Sequence, residues 1–202
     1  MVLSSEPLKL VRGGVYVKDI ELGYLAGLLA GDGYIHHDAK NRHYTVEVYL
    51  NSETDTQIQN YLLELLKKLR LNPYIRKDTR YKCNRIRIRN KKFHYFSRSL
   101  IDAKTTSLAF KIGFVSGLID ADGEVVPKKH LKVVNTDKKL MLKAKEILEE
   151  LGLNPKMNVR NYENKNWSPL FTMYVPVDFI RYANSVKAAA YRNSSSGVET
   201  PY

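Results

Sequence analysis

The hydrophobic pattern of this chain has two apolar segments that each end in Asp-Gly and are followed by the same succession of spacings. After the first segment, residues 45–50 alternate as a strand, residues 54–69 have helical apolar spacing, and residues 85–90 alternate again. After the second, residues 131–135, 138–151 and 171–175 repeat strand, helix and strand. The pattern predicts an α+β fold with largely antiparallel sheets, each covered by helices on one face and free on the other.

An internal repeat divides the chain into two similar halves. The segment LAGLLAGDG at residues 25–33 returns as VSGLIDADG at 115–123, and ELLKKLRLNP at 64–73 returns as EILEELGLNP at 146–155. Since the order of the segments is kept, each half is expected to fold as the same unit. We predict a first half at residues 1–100, a linker at 101–108, a second half at 109–192 and a flexible tail at 193–202.

Small residues recur at every fourth position of both apolar segments. They are Gly23, Gly27 and Gly31 in the first segment and Gly113, Gly117 and Ala121 in the second. A spacing of four places each set on one face of a helix. Glycine inside a helix costs about 1 kcal/mol relative to alanine. These faces therefore predict that the two helices pack closely on each other as a pseudo-twofold pair.

An acid follows each small face: Asp32 follows Gly31, and Asp122 follows Ala121. Packing of the helices would bring the two carboxylates together at helix C-termini, where their repulsion and the negative helix ends require a cation. Hard divalent cations with oxygen ligands, above all Mg²⁺, suit this arrangement, and in-line attack on a phosphodiester is the reaction it supports. We therefore predict a metal site made by these four residues. The alternative is that each Asp-Gly pair only caps a helix and starts a turn.

The two segments resemble the paired motifs of the LAGLIDADG family of homing endonucleases, and the second matches seven of the nine letters. The resemblance implies two pseudo-symmetric αββαββα halves, with the motif helices packed at the centre and the antiparallel sheets forming a DNA-binding saddle. It implies a monomeric, Mg²⁺-dependent endonuclease that cuts both strands of a long double-stranded DNA target and leaves 3′ overhangs. Mn²⁺ is expected to substitute for Mg²⁺, and Ca²⁺ to bind without cleavage.

The family resemblance also assigns the acids of the two motifs. In the family the last acid of each motif ligates the metals, and these acids correspond to Asp32 and Asp122. Asp120, at the sixth position of the second motif, has Ala30 as its counterpart. We therefore expect Asp120 to be structural rather than a symmetric metal ligand.

Two matched pairs of polar residues are further candidates for catalytic roles. Asn51 and Asn135 end equivalent strands, where the family commonly has polar residues that order water near the metals; the alternative is that each makes a local turn. Lys104 and Lys187 lie late in their halves and could stabilise the charge that develops on a phosphate. The alternative is that both lysines are solvated.

Basic residues dominate the chain, with 33 Lys and Arg against 21 Asp and Glu and a net charge of +12, which indicates a polyanionic partner. The segment RIRIRN places Arg85, Arg87 and Arg89 on one face of a strand, which we predict to lie against DNA. The alternative is an exposed edge strand that charge keeps soluble. The other predicted DNA-contacting residues are Arg76, Lys77, Arg80, Lys82, Lys128, Lys129, Lys132, Arg160, Tyr162, Lys165 and Trp167.

Other classes of site and protein are disfavoured. The single Cys83 excludes an internal disulfide framework and a multi-cysteine zinc site, and we predict no metal at His36, His37 and His43. No run of about 18 apolar residues occurs, so we expect a soluble intracellular protein without membrane contact. It is expected in the cytoplasm of a prokaryotic or archaeal host, with an organelle as the alternative location. Two alternatives keep the fold: an RNA maturase that binds intron RNA and assists splicing, or a non-cleaving DNA-binding regulator. The two retained acids favour cleavage.

Overall fold

The computed structural model describes residues 17–104, 106–162 and 167–195, with side chains to residue 193. The first half consists of α1 (Asp19–Asp32), β1 (Gly33–Asp38), β2 (His43–Asn51), α2 (Thr56–Lys68), β3 (Tyr74–Asp78), β4 (Cys83–Arg89) and α3 (Lys91–Ile101). The second consists of α4 (Leu108–Asp122), β5 (Gly123–Val126), β6 (His130–Asn135), α5 (Lys138–Glu150), β7 (Lys156–Arg160), β8 (Leu170–Tyr174), α6 (Val177–Tyr182) and α7 (Val186–Ser195). The α+β fold class is confirmed.

Helices α1 and α4 form the centre of the molecule and are buried along most of their length. Each is apolar on nearly all sides, as a helix surrounded by protein must be. The side chain of Ser107 accepts a hydrogen bond from the Phe110 N–H and caps α4, and its hydroxyl donates to the Asp19 carboxylate of α1 at 2.6 Å. One serine therefore starts the second helix and ties it to the start of the first.

The two helices touch backbone to backbone through their glycines. A Cβ atom built on Gly27 would lie 1.9 Å from the carbonyl oxygen of Phe114, and one on Gly117 would lie 2.0 Å from that of Tyr24. Gly23 and Gly113 have the same relation to backbone oxygens of the opposite helix, at 2.0 and 2.1 Å. No side chain fits at these positions, which explains why the sequence places glycine there despite its low helix propensity.

Two four-stranded antiparallel sheets flank the helix pair, in the orders β1-β2-β4-β3 and β5-β6-β8-β7. Their inner faces bury the alternate apolar residues of the strands against the helices, as at Val46 and Val48 of β2 and Val133 of β6. Helices α2 and α5 bury one apolar stripe each. Each is capped at its C-terminal end by a leucine, Leu69 or Leu151, and Leu-Asn-Pro begins two residues after that leucine. The sheets thus share one topology.

The ends of the halves differ from the simple repeat. The second half closes with two helices, α6 and α7, where the predicted αββαββα order has one. Helix α3 runs through residue 101, α4 begins at residue 108, and α7 extends to residue 195, inside the predicted tail. Residues 196–202 lie outside the described residues. None of the described helices is long and apolar enough to cross a membrane.

Candidate active site

Asp32 and Asp122 lie close together because they are the last residues of two helices that pack along their length. A Cβ atom built on Gly31 would lie 2.4 Å from the Cβ of Ala121 and 2.7 Å from Oδ2 of Asp122. The last turns of the helices are therefore in contact. The structure brings all four residues of the predicted metal site together.

The environment of the two acids disfavours their negative charge. Burial raises the pKa of the Asp32 carboxyl to about 7, and the charge of Asp122 adds to this rise, whereas Lys187 opposes it. Burial also raises the pKa of the Asp122 carboxyl, against the hydrogen bond from Asn135 and the charge of Lys187. The protein's own cations therefore leave part of the negative charge uncompensated, and a bound divalent cation would hold both groups as carboxylates.

The donor set suits Mg²⁺ that is shared with a phosphate-bearing ligand. Over the described ranges, no group of three or more His, Cys, Asp and Glu could hold a metal by itself. Mg²⁺ usually retains several waters and is bound through one or two carboxylates together with substrate phosphates. The carbonyl oxygen of Ala121 accepts a hydrogen bond from Nζ of Lys187 at 3.1 Å, so a cationic group already stands beside the paired helix ends.

The two predicted asparagines are not structurally equivalent. Nδ2 of Asn135 donates to Oδ2 of Asp122 at 2.8 Å, whereas Oδ1 of Asn51 accepts the N–H groups of residues 53 and 54 in a local turn. Gly33 pairs with Val48 and Gly123 with Val133, so Asn51 stands three residues after the matched valine and Asn135 two. A shift of one residue turns a side chain to the opposite face of a sheet. Only Asn135 therefore contacts a motif acid.

The two predicted lysines are also separated. Lys187 begins α7 beside the acids, but Lys104 lines a cleft of about 400 Å³ with Lys111 and Glu150. Lys111 is eleven residues before Asp122 on α4, or about 16 Å along the helix axis. The structure therefore does not bring Lys104 to the acids. The two lysines were matched by their separation in sequence, but Lys187 lies in α7, whereas Lys104 lies in the connection between α3 and α4.

Glu47 is a functional candidate that the sequence reading missed. It is 1% exposed, and it accepts hydrogen bonds from Arg85 at 2.7 and 2.8 Å, from the Arg87 guanidinium, and from the Tyr49 hydroxyl at 2.6 Å. Burial opposes ionisation, but these bonds outweigh it and hold the pKa of the Glu47 carboxyl below its usual value. The predicted basic face of β4 is thus partly neutralised. A lone acid opposite the arginines was the available signal in the sequence.

The remaining predicted DNA-contacting residues are spread over the two sheets and their turns. Several already have carboxylate partners: Arg80 pairs with Asp78 at 3.3 Å, Lys82 with Glu53 at 3.1 Å, and Lys132 with Glu124 at 3.0 Å. Arg76 lies opposite Arg85 in the first sheet, Lys77 follows it in β3, and Lys128 and Lys129 lie in the β5–β6 turn. Arg160 lies over the ring of Tyr162, which contacts Trp167 edge to face. Lys165 lies outside the described residues.

A cationic cleft at the outer end of the first sheet extends this surface. It has a volume of about 470 Å³ and is lined by Arg42, His43, Tyr44, Arg89, Asn90 and Lys91. The Lys91 ammonium group lies 5.3 Å from the centre of the Tyr44 ring. The sequence reading found Arg89 but missed Arg42 and Lys91, because only the sheet register brings the hairpin to the start of α3.

Comparison with known proteins identifies the family. The sequence model of the LAGLIDADG-like domain matches residues 19–100 and again residues 109–191. The chain belongs to the LAGLIDADG family. The two matches cover nearly all of α1 to α3 and most of α4 to α7, so each LAGLIDADG half contributes one motif helix and one acid to the site.

Individual relatives agree with this assignment. The homing endonuclease I-DmoI of Desulfurococcus mucosus is 25% identical over 150 residues, which is 70% of this chain and 75% of the relative. A crystal structure of I-DmoI in complex with DNA and Ca has a TM-score of 0.69 at 21% identity and covers 87% of this chain and 98% of that one. The N-terminal LAGLIDADG domain of DUF199/WhiA has a TM-score of 0.58 at 15% identity, with 96% and 88% covered. These structural matches support the same two-sheet fold.

Proposed function

We propose that this protein is a site-specific homing endonuclease that hydrolyses both strands of a long double-stranded DNA target. The observation that carries the proposal is the pair of acids, Asp32 and Asp122, at the touching C-terminal ends of two helices, with both carboxyl pKa values raised. The relative I-DmoI, which bears the name homing endonuclease, has been crystallised with DNA and Ca and with DNA and Mn. Mg²⁺ is the proposed cofactor, Mn²⁺ its substitute, and Ca²⁺ a cation that permits binding without cleavage.

The protein's own groups divide the work at the site. Asp32 and Asp122, with the neighbouring carbonyl groups, would hold the cations, and Asn135 orients the Asp122 carboxylate through its hydrogen bond. When bound, Mg²⁺ would polarise the phosphate and lower the pKa of an attacking water. The Lys187 ammonium group, which donates to the Ala121 carbonyl beside the acids, would stabilise negative charge that develops on the scissile phosphate.

The free faces of the sheets are the proposed DNA surface. They carry exposed arginine, lysine and tyrosine side chains such as Arg89 and Tyr74. Because the two acids come from one chain, a monomer could cut both strands, and we infer 3′ overhangs from the family resemblance. We place the activity inside the cell, where the proposed DNA substrate is. The retention of both motif acids supports cleavage over a regulator without nuclease activity.

A cleavage assay on a randomised DNA library tests the proposal. We expect the wild-type protein to cut specific sites in Mg²⁺, and not in Ca²⁺ or EDTA. Asp32→Asn and Asp122→Asn should each abolish double-strand cleavage while binding in Ca²⁺ persists. Asp178→Asn is a matched control, since Asp178 is exposed and its ion pair is with the nearby Arg181 on the same helix. Cleavage that survives either motif substitution would refute the two-acid mechanism, and RNA binding without any DNA cleavage would favour a maturase.

A further inference from the structure

Asp120 is a buried carboxylate that the proposed metal chemistry does not use. It is fully buried, and it accepts hydrogen bonds from the Tyr24 hydroxyl at 2.8 Å and from the Ser185 hydroxyl at 2.7 Å. It also accepts the backbone N–H groups of Val186 at 3.0 Å and Lys187 at 2.9 Å. An ionised carboxylate offers about four lone-pair sites, so all four are used.

Three of the four donors belong to the start of α7. The first N–H groups of a helix have no acceptor within the helix, and a negative charge placed there is favoured by the helix dipole. The Ser185 hydroxyl donates to Asp120 and accepts the Ala188 N–H at 3.1 Å, as a helix cap does. Asp120 therefore fixes both the position and the direction of the first turn of α7.

This turn carries Lys187 to the active site. The lysine binds two successive residues of α4: its N–H donates to Asp120, and its Nζ donates to the carbonyl oxygen of Ala121 at 3.1 Å. A free lysine side chain has many rotamers, and restricting them costs conformational entropy. Anchoring the backbone at Asp120 limits where the ammonium group can reach, and it keeps that group beside the paired acids.

Residues 17–104, the described part of the first half, contain no such arrangement. The sixth motif position there is Ala30, which has no carboxylate. Helix α3 is capped by its own Asn90, whose side chain accepts the Phe93 N–H. Asn90 follows Arg89, which pairs with Thr45. Thr45 lies three residues, or about 10 Å along the strand, from Val48, the partner of Gly33 after Asp32, so α3 starts away from the two acids. Among the described residues, the anchored lysine is thus found in the second half.

We propose that Asp120 is a positioning residue of the active site, which anchors α7 and so holds the Lys187 ammonium group at the paired helix ends. This inference rests on the proposed endonuclease function. It predicts that Asp120 acts on cleavage through Lys187 and not through general stability. It also gives the sixth position of this motif a task that its counterpart Ala30 cannot perform.

A double-mutant cycle on the single-turnover cleavage rate separates these roles. Lys187→Met should slow cleavage on the order of 100-fold, and Asp120→Asn on the order of tenfold or more. The double variant should match Lys187→Met within about twofold, because the lysine through which Asp120 acts is gone. Rates are compared at a temperature where all variants are folded and with DNA affinity measured in Ca²⁺. Multiplicative effects would mean that Asp120 acts independently of Lys187, and would overturn the inference.

Two further variants and a second readout keep the test decisive. Ser185→Ala should slow cleavage less than Asp120→Asn but in the same Lys187-dependent way. Ser116→Ala on α4 is the control, because Ser116 is equally buried and donates only to its own helix at Ile112; its rate should stay unchanged. Hydrogen exchange of α7 amides should quicken in Asp120→Asn, and unchanged exchange would refute the anchor without reference to cleavage. A wild-type protein that cuts no DNA would instead refute the proposed function and, with it, the catalytic role of the anchor.

Discussion

Replacing Gly27 with alanine should destabilise the protein even though alanine is the better helix former. The new Cβ would lie 1.9 Å from the carbonyl oxygen of Phe114, whereas real Cβ atoms essentially never come closer than 3.0 Å, so the two helix backbones must move apart. Overpacking of this kind costs about 1–3 kcal/mol and occasionally more, against a gain of about 1 kcal/mol in helix propensity. Because the obstacle is backbone of the opposite helix, the upper part of the range applies, and we expect a net loss of roughly 2 kcal/mol.

Urea denaturation and single-turnover cleavage measure the two consequences of this change. The midpoint of unfolding should fall, and cleavage should fall as well at a temperature where the variant is folded, because the separation moves Asp32 away from Asp122. Gly152→Ala is the control: Gly152 has φ +77° and nothing lies within 4 Å of its new Cβ. Backbone strain there should cost about 1–2 kcal/mol without affecting cleavage. A Gly27→Ala protein as stable and as active as the wild type would refute the close helix pairing.

Three further predictions concern charges and hydrogen bonds at the site and on the sheet. Glu47→Gln should lower stability by about 1–3 kcal/mol, tighten DNA binding and steepen its salt dependence, because two arginines lose their carboxylate; an unchanged salt slope would contradict this. In EDTA, the raised pKa of Asp32 contributes stability that is fully present below pH 3.8 and is lost as pH rises to about 7. This contribution, about 4 kcal/mol at most, should be absent from the pH profile of Asp32→Asn, and Mg²⁺ should restore stability above pH 7; identical profiles for the two proteins would rule it out. Asn135→Ala should slow cleavage about tenfold, as expected for a residue that orients a metal ligand, and Asn51→Ala much less. Equal effects on single-turnover rates would show that the strand register is not decisive.

The central helix pair was predictable because its signal is local. Glycines four residues apart lie on one face of a helix. Glycine lowers helix stability, and close contact with another helix accounts for its presence at these positions. The proximity of Asp32 and Asp122 then follows, because each acid comes directly after the last small residue of its helix face. The order of strands and helices in each half was likewise predictable from the spacing of apolar residues. The burial of Glu47 was not, because alternation assigns this residue to the free face but does not reveal that arginines cover it.

Pairing by sequence offset failed where the two halves diverge in three dimensions. Asn51 and Asn135 were matched because their separation in sequence is similar to that of the repeated segments. One extra residue before the end of β2 nevertheless turns the two side chains to opposite faces of their sheets. Lys104 and Lys187 are separated by a similar number of residues. The start of α7 is hydrogen-bonded to Asp120 of α4, however, whereas the equivalent stretch of the first half is the linker between α3 and α4. Such differences depend on tertiary hydrogen bonds between distant segments, which no periodicity records.

For the proposed DNA substrate, the shared register of the two sheets determines what kind of sequence their free faces would recognise. The residue before the matched valine is Glu47 in the first sheet and Lys132 in the second, and their cross-strand neighbours are Arg87 and Tyr174. A dimer of identical subunits would present one surface twice and would require a palindrome. Here the two halves share a backbone arrangement but present different side chains. The preferred target should therefore be an asymmetric sequence, not a palindrome, and the protein should bind it in one orientation.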